Sequence, residues 1–256
     1  MSLTPLSSVQ NPRVKQARAL AQRKHREAAG AFLIEGSKLL TEALTAGHVP
    51  AQVFGTQAWW ARGVAVPRAE RFLVPDAVLA AIATTETPDG VVAVAPLPRP
   101  VPPAPRPDPL VLVAHGLQDP GNLGTMIRAA DAAGADAVIV TPGTTDPWAP
   151  KVVRGSMGSC FHLPVLPLAL GQLKATFPGI RLLALTLATG ASDLFEADLR
   201  GGVALLVGNE GRGLDAEALT LADAHVTIPI PGRAESLNAA MAATVCLYEA
   251  VRQRRG

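Results

Sequence analysis

LLVGNEGRGL, residues 205–214, is an apolar run that breaks into three glycines within six residues, with polar side chains between them. Glycine adopts backbone conformations with positive φ and lets a backbone approach a ligand closely. The pattern therefore predicts a buried strand over 203–207 that ends in a ligand-holding loop. The alternative is a tight turn that caps a helix beginning at Leu214.

The spacing of Gly208, Gly211 and Gly213 argues against two common nucleotide sites. It matches neither the G-x-G-x-x-G fingerprint of dinucleotide-binding folds nor a phosphate-binding loop, because no G-K-[ST] follows. Exposed backbone N–H and C=O groups of such a loop can still read an adenine edge. We therefore expect a nucleoside-like ligand held mainly by backbone.

Apolar runs recur through the second half of the chain, with helical stretches between them. They cover residues 110–117, 136–142, 181–187, 202–208 and 225–230. Continuous hydrophobicity is typical of strands buried on both faces of a parallel sheet. In such sheets, ligands bind where loops leave the C-terminal ends of the strands. The glycine-rich loop is predicted to lie at such an end.

A proline-rich stretch divides the chain. APLPRPVPPAPRPDP, residues 95–109, has eight prolines in fifteen residues, and proline fixes φ and removes a backbone donor. We predict a small α/β domain over 1–95, a Pro-rich linker over 96–109 and an α/β domain with a parallel sheet over 110–256. In the first domain, residues 13–29 are predicted to be helical and basic.

Composition narrows the class of protein. The 256 residues are 48% hydrophobic, yet no apolar run reaches 18 residues and no apolar segment follows Met1, so we expect neither a membrane span nor secretion. The two cysteines, Cys160 and Cys246, are far apart, which predicts a reducing, cytoplasmic setting without disulfides. The five histidines show no ligand spacing, so no metal is expected.

Charge is unevenly distributed although the net charge is only +2. Residues 1–26 contain six Lys or Arg and no Asp or Glu, and three arginines, Arg252, Arg254 and Arg255, end the chain. Basic ends on a near-neutral body indicate contact with a polyanion such as nucleic acid. A solvated helix face is the alternative interpretation.

A second polar loop covers residues 117–135. Asn122 is predicted to cap a helix over 123–133 that Gly134 ends, with Arg128 in its second turn. A glycine-containing loop that enters a helix can bind an anion. Taken alone, the segment fits an ordinary strand-turn-helix with a surface arginine better than an anion site.

A third polar loop covers residues 228–238. Its prolines and Gly232 keep it irregular, and Ser236 or Asn238 can cap the long amphipathic helix that follows. A plain loop before a C-terminal helix also fits. Three such loops at strand ends, each with Asn, Ser, Glu or Arg, together favour a functional site.

These three segments carry a resemblance to a known family. DPGNLGTMIRAADAAG (119–134), LLVGNEGRGL (205–214) and IPIPGRAESLNAAMA (228–242) resemble motifs 1, 2 and 3 of the SpoU/TrmH family of RNA ribose 2′-O-methyltransferases, in the same order. KVVRGSMGSCFHLPV (151–165) resembles the segment between motifs 1 and 2. NPRVKQARALAQRKHREAAGAFLIEG (11–36) resembles the L30e-like substrate-binding domain of ribosomal-RNA members. The resemblance covers nearly the whole chain.

The resemblance implies a fold, a cofactor and an assembly. It implies a SPOUT α/β domain whose C-terminal segment forms a deep trefoil knot, and a homodimer joined through the knotted region. Met241, Val245 and Leu247 of the last helix can serve that interface or the core. The knotted loops would bind S-adenosylmethionine. By analogy, the cofactor-binding residues are Gly208, Asn209, Glu210, Gly211, Ile228 and Leu237.

The resemblance also implies the catalytic residues. They are Arg128, Asn122, Glu210, Ser236 and Asn238, with Glu210 facing the arginine. The family proposal makes the arginine a general base, yet a guanidinium has a pKa above 12 and ordinarily stays protonated. Arg128 therefore acts either as an unusual base or as a charge clamp on phosphate and alkoxide. Glu210 as the base, or as a group that orients Arg128, is a further alternative.

Several functions share this layout. The L30e-like domain favours 23S ribosomal RNA as the substrate; the alternatives are a tRNA 2′-O-methyltransferase, an antibiotic-resistance methyltransferase and a non-catalytic RNA-binding or ribosome-assembly protein. RNA contacts are expected from the basic first domain, Lys151, Arg154 and the C-terminal arginines. Aromatic residues form only 4% of the chain, which argues against extended base stacking.

Overall fold

The computed structural model describes residues 3–99 and 101–255. In chain order, the strands and helices are β1 Leu3–Pro5, α1 Pro12–Ala19, α2 Arg23–Ala29, β2 Ala31–Glu35, α3 Ser37–Thr45, β3 Gln52–Gly55, α4 Gln57–Trp60, β4 Glu70–Leu73, α5 Asp76–Ile82, β5 Val91–Pro96, β6 Leu110–Ala114, α6 Pro120–Ala132, β7 Ala137–Val140, α7 Pro150–Gly155, β8 Val165–Pro167, α8 Leu173–Thr176, β9 Arg181–Leu185, β10 Ser192–Asp193, β11 Val203–Val207, α9 Ala216–Leu221, β12 Ala224–Thr227 and α10 Ala239–Arg255.

The chain divides into two compact units. The first comprises Met1–Arg99 and Trp148–Phe161, and the second comprises Pro100–Pro147 and His162–Gly256. The sequence prediction placed all of 110–256 in the second domain. Trp148–Phe161, called the insert segment below, packs with the first unit instead.

A five-stranded mixed sheet forms the centre of the first unit, in the order β1-β4-β3-β5-β2. The β1–β4 and β3–β4 pairs are parallel, and β5 runs antiparallel to both β3 and β2. Residues 91–95 of β5 are fully buried, as the continuous apolar run VVAVA requires. Helices α1 and α5 pack over one face, around Phe54, Phe72 and Leu79.

The stretch predicted to be helical over 13–29 forms two helices, α1 and α2, because the chain turns at 20–22. Arg26 is buried in this turn. Its Nη1 donates hydrogen bonds to the carbonyl oxygens of Leu20 (2.7 Å) and Ala21 (2.9 Å). These carbonyls follow the end of α1, so the Arg26 side chain caps them and fixes the angle between the two helices.

Aromatic packing holds the insert segment in the first unit. The ring of Trp148 lies 5.0 Å from that of Phe32, and the Phe161 ring lies 6.3 Å from the same partner. Phe32 and Phe161 are both buried. Large aromatic side chains bury enough area to dominate such a contact, which explains why this segment packs with the first unit although the sequence on both sides of it belongs to the second.

Arg154 of the insert segment forms a polar contact in the same unit, and its role in RNA binding stays a prediction. Its Nη1 lies 3.2 Å from Oε1 of Glu35 and donates a 2.6 Å hydrogen bond to Oγ1 of Thr84. The Glu35 side chain is only 4% exposed. A buried carboxylate needs a charged partner, so Arg154 neutralises Glu35.

A seven-stranded sheet forms the second unit, in the order β10-β12-β9-β11-β6-β7-β8, and every neighbouring pair is parallel. The predicted α/β fold with a parallel sheet is confirmed, and all five apolar runs are strands. β8 and β10 are short additions at the two edges. β11 is central, paired with β6 and β9, and all five of its residues are buried. The trefoil knot remains a prediction.

The C-terminal helix α10 packs against α6. Leu247 is fully buried and belongs to the core, whereas Met241 is 59% and Tyr248 50% exposed. The helix thus has a core face and an exposed apolar face. None of the helices formed by residues 3–99 and 101–255 combines the length and apolar character needed to cross a bilayer.

Two of the C-terminal arginines predicted to bind RNA have structural partners within the second unit. Arg252 donates two hydrogen bonds to the carboxylate of Glu249, at 2.8 and 2.7 Å. Arg254 donates to the backbone carbonyls of Asp108 (2.9 Å) and Leu199 (3.2 Å). Both guanidinium groups therefore stabilise the second unit; that they bind RNA stays a prediction.

Candidate active site

The candidate site lies where three loops leave the C-terminal ends of β6, β11 and β12. These strands lie on one side of the sheet, in the order β12-β9-β11-β6, and all point the same way. Their loops, 115–119, 208–214 and 228–238, therefore emerge at a common edge. This is the edge at which ligands bind in open parallel sheets.

The glycine-rich loop closes on itself. The backbones of Asn209 and Gly213 exchange two hydrogen bonds, of 3.0 and 2.9 Å. The Asn209 side chain accepts hydrogen bonds from the backbone N–H groups of Gly211 (2.9 Å) and Arg212 (3.0 Å), and donates to the carbonyl of Gly116 (2.9 Å). Asn209 therefore shapes the loop and joins it to the loop after β6.

Gly208 is required by a close backbone approach. A Cβ at this position would lie 2.5 Å from the carbonyl carbon and oxygen of Gly213 and 2.8 Å from the nitrogen of Leu214. Real Cβ atoms do not approach backbone this closely. The loop thus returns directly over the end of β11, which answers why an apolar strand breaks into glycines here.

A chain of hydrogen bonds joins the three loops. Nδ2 of Asn238 donates to Oδ1 of Asn122 (2.9 Å), and Nδ2 of Asn122 donates to Oε1 of Glu210 (2.9 Å). The Glu210 carboxylate also accepts from the backbone N–H groups of Gln118 (3.3 Å) and Asp119 (3.2 Å). Three of the five predicted catalytic residues are therefore in direct contact.

Two helix caps position this chain. Asn238 caps α10, because its Oδ1 accepts hydrogen bonds from the backbone N–H groups of Ala240 (2.9 Å) and Met241 (3.3 Å). The predicted N-cap at Asn122 is wrong: Asp119 caps α6 by accepting from the Asn122 N–H (2.8 Å). Asn122 lies in the first turn, which leaves its amide free to bridge Glu210 and Asn238.

The environment of Glu210 lowers the pKa of its carboxyl group. Partial burial acts in the opposite direction, but the hydrogen bonds from Asn122, Gln118 and Asp119 outweigh it. A carboxylate with a lowered pKa and donors on both oxygens is a weak base. The geometry therefore favours a positioning role for Glu210 over a role as general base.

We expect Glu210→Gln to destabilise the second unit by about 1 kcal/mol at pH 7, because hydrogen bonds to a partly solvated carboxylate are lost. A carboxyl group with a lowered folded-state pKa stabilises the fold above its ordinary pKa and loses that contribution as pH falls through the lowered value. The difference in free energy of unfolding between wild type and variant should therefore shrink as the pH falls below about 4.5.

Urea denaturation at pH 7 and at a series of lower pH values measures this gap. Glu196→Gln, at an exposed acid of the same unit, is the matched control and should show no pH-dependent gap. A Glu210→Gln variant as stable as wild type at pH 7, or equally destabilised at every pH, would contradict the assigned role.

A cleft of about 460 Å³ opens beside these loops. All six predicted cofactor-binding residues line it, and so does Ser236. Its other apolar walls include Leu185, Val207 and Leu214. The loop after β9, Thr186–Ala188, also lines the cleft; the sequence analysis identified this strand but did not use the polar Thr186 at its end.

Arg128 lies apart from the hydrogen-bonded chain. It is exposed on α6, six residues after Asn122 and thus about 9 Å along the helix axis. Within residues 3–99 and 101–255, no hydrogen bond or ion pair joins its side chain to Glu210. The predicted contact between Glu210 and Arg128 is therefore wrong, and Asn122 takes that place.

The chain is similar to known proteins over nearly its whole length. Residues 109–248 match the SpoU rRNA Methylase family, and residues 11–93 match the MRM3-like substrate binding domain. The chain is 36% identical to the 23S rRNA (guanosine(2553)-2′-O)-methyltransferase RlmP of Bacillus subtilis, covering 95% of this chain and 97% of that protein. It is 37% identical to the 23S rRNA (uridine(2479)-2′-O)-methyltransferase of Streptomyces viridochromogenes, over 95% and 91%.

A solved structure shares the fold at similar coverage. The AdoMet-bound rRNA methyltransferase from Sinorhizobium meliloti superposes with a TM-score of 0.88 at 35% identity, and the match covers 98% of each chain. The family predicted from the three loops is therefore the family found by comparison.

Proposed function

This chain belongs to the SpoU rRNA methylase family, and on that premise we propose that it transfers a methyl group from S-adenosylmethionine to a ribose 2′-hydroxyl of 23S ribosomal RNA. The observation that carries the proposal is the contact between Asn238, Asn122 and Glu210, one residue from each of the three motif loops. Two of these loops, 208–214 and 228–238, also line a cleft at the C-terminal edge of a parallel sheet.

The cleft suits the proposed methyl donor. Its volume of 460 Å³ falls within the range of small-molecule sites, about 300–1,000 Å³. Its lining combines apolar side chains with the open backbone of residues 208–213 and 235–237, which matches an adenine ring and a polar ribose. When bound, S-adenosylmethionine supplies a methyl group already activated by its sulfonium.

The protein must then align a ribose and stabilise the developing charge. Ser236 lines the cleft and is exposed, so its hydroxyl is available to a ribose. The amides of Asn122 and Asn238 hold the loops in register, which maintains the alignment on which the rate depends. Arg128, exposed and positively charged, is assigned to the RNA phosphate and to the oxyanion that forms as the hydroxyl loses its proton.

The RNA class is the first point to test. Tritiated S-adenosylmethionine is incubated with the protein and unmodified large-subunit rRNA, small-subunit rRNA or bulk tRNA. We expect label in the large-subunit RNA alone, because both relatives described above are named for 23S rRNA. Label confined to tRNA would replace the proposed substrate, and donor binding without transfer to any RNA would favour a non-catalytic role.

We further propose a homodimer joined through the knotted region, with α10 at the interface. The exposed apolar side chains of Met241 and Tyr248 on α10 support this interface, since a soluble monomer gains nothing from exposing them together. A cytoplasmic location is proposed as well; the two cysteines are free and buried, which suits a reducing compartment.

We expect a Met241→Glu/Tyr248→Glu double variant to be monomeric, because two buried unpaired charges would outweigh the apolar contact. Light scattering coupled to size exclusion at micromolar concentration measures the mass. The control is Phe195→Glu, which should leave the dimer intact. Phe195 is 52% exposed and lies outside α10. A monomeric wild-type protein would disprove the proposed assembly.

A further inference from the structure

Three charged residues line the cleft beside the motif loops: Glu210, Arg212 and Glu235. The rest of its lining is neutral. Glu210 is already engaged, because both of its carboxylate oxygens accept hydrogen bonds from the loop after β6 and the start of α6. Arg212 and Glu235, which lie on the other two loops, have no role in that hydrogen-bonded chain.

The side chains of Arg212 and Glu235 are available to a ligand. Both residues are exposed, and among the residues that the structure describes neither side chain has a hydrogen bond or an ion pair. Availability alone does not distinguish them, since Arg233 is exposed and unpaired too. They differ from Arg233 in that they line the cleft. Within the described residues, the cleft therefore presents one open guanidinium and one open carboxylate.

The backbone that carries each of these side chains is fixed. The N–H group of Arg212 donates a 3.0 Å hydrogen bond to Oδ1 of Asn209, inside the loop that Asn209 and Gly213 close. Residues 235–237 run directly into Asn238, which caps α10 through the N–H of Ala240 (2.9 Å). Binding a ligand through these two groups therefore requires ordering of side chains alone, which keeps the entropic cost small.

The proposed methyl donor brings two charges that the rest of the cleft does not match. S-adenosylmethionine ends in an amino acid, which carries an ammonium and a carboxylate. The apolar walls and open backbone suit its adenosine, but a charged group that leaves water needs a partner. An arginine offers a carboxylate two parallel N–H donors, and a glutamate accepts hydrogen bonds from an ammonium.

We propose that Arg212 and Glu235 bind the amino-acid end of the donor, Arg212 its carboxylate and Glu235 its ammonium, an inference that rests on the proposed function. This end does not react, and the product S-adenosylhomocysteine keeps it unchanged. The two contacts therefore contribute equally to donor and product binding. Interactions that do not change along the reaction raise affinity without raising the rate of the chemical step.

The test compares two ligands that differ at this end. S-adenosylhomocysteine has the amino acid, whereas 5′-methylthioadenosine keeps the adenosine and the sulfur but ends in a methyl group. Isothermal titration of the full-length protein measures both affinities for Arg212→Gln and Glu235→Gln. Arg233→Gln and Glu217→Gln are the matched controls, with the same charge changes at exposed residues that do not line the cleft. Thermal melting checks that each variant is folded.

We expect Arg212→Gln and Glu235→Gln each to bind S-adenosylhomocysteine about fivefold more weakly, because each loses one solvent-accessible charge pair. Their affinity for 5′-methylthioadenosine should stay within about twofold of wild type. The controls should bind both ligands as wild type does. Unchanged affinity for S-adenosylhomocysteine, or equal losses for the two ligands, would overturn the proposal. A Glu235→Gln loss seen with S-adenosylmethionine alone would place Glu235 at the sulfonium and overturn its assignment.

These outcomes are separable from those of the proposed function. If the wild-type protein methylates rRNA and the variants show no loss specific to S-adenosylhomocysteine, the assignment of the amino-acid end fails and the proposed function stands. If the expected losses occur but no RNA is methylated, the enzyme proposal fails and the assignment stands. A wild-type protein that binds neither ligand would overturn both.

Discussion

Arg128→Ala is expected to reduce the rate constant of methyl transfer roughly 10²- to 10³-fold, the loss typical of removing a group that stabilises an oxyanion. Arg128 is exposed on α6 and has no ion pair to Glu210, so its charge is available to RNA. Donor affinity should stay at the wild-type value, because Arg128 does not line the cleft. Single-turnover transfer and donor titration measure the two effects separately.

Arg128→Lys distinguishes the two roles of this arginine. If Arg128 is a charge clamp, the lysine variant should keep partial activity, since lysine keeps the charge but loses the bidentate fork. Its rate of methyl transfer should then not rise as the lysine loses its proton. A general base predicts a rate that rises with pH as the lysine loses its proton. Arg200→Ala, at an exposed arginine outside the three loops of the site, serves as control. An Arg128→Ala variant with near wild-type transfer would remove Arg128 from the mechanism.

Gly208→Ala is expected to weaken donor binding on the order of 100-fold, which corresponds to about 2.7 kcal/mol. The added Cβ would lie 2.5 Å from the backbone of Gly213, and backbone cannot rotate aside as a flexible side chain can. The loop would therefore lift from the end of β11 and carry the lining of the cleft with it. Isothermal titration with S-adenosylmethionine measures the loss.

Gly211→Ala is the matched control within the same loop. The nearest atom to a Cβ at Gly211 is Oδ1 of Asn209 at 3.8 Å, an ordinary contact, and Gly211 does not have a positive φ. We expect its donor affinity to stay within about threefold of wild type, below 1 kcal/mol. Equal losses of donor affinity in the two variants would mean that the backbone clash at position 208 is not the cause of weaker donor binding.

Five strands of the second unit could be predicted from the sequence because each is a continuous apolar run between turn residues. β8 and β10 were not, since three and two residues carry no periodic signal. The packing of the insert segment with the first unit could not be predicted from the sequence pattern either. Its place depends on Trp148 meeting Phe32, more than 100 positions earlier, and local propensity says nothing about such a pairing.

The structure brings three of the predicted catalytic residues into contact but differs from the sequence prediction in the helix cap and in the partner of Glu210. The Asp119-Pro120 pair was a readable signal for the start of α6, because aspartate is a strong N-cap and proline favours the first helical position. Asn122 and Arg128, six residues apart, point about 120° from each other around the helix. The side of α6 that meets Glu210 therefore cannot also present Arg128 to it.

The most direct test of the account is the chemical position of the transferred methyl group. Large-subunit rRNA labelled from tritiated S-adenosylmethionine is digested with alkali, which cleaves only next to a free 2′-hydroxyl. We predict that the label is found in alkali-resistant dinucleotides and disappears with Arg128→Ala. Label in mononucleotides would mean methylation of a base rather than of the ribose, and would contradict the central claim.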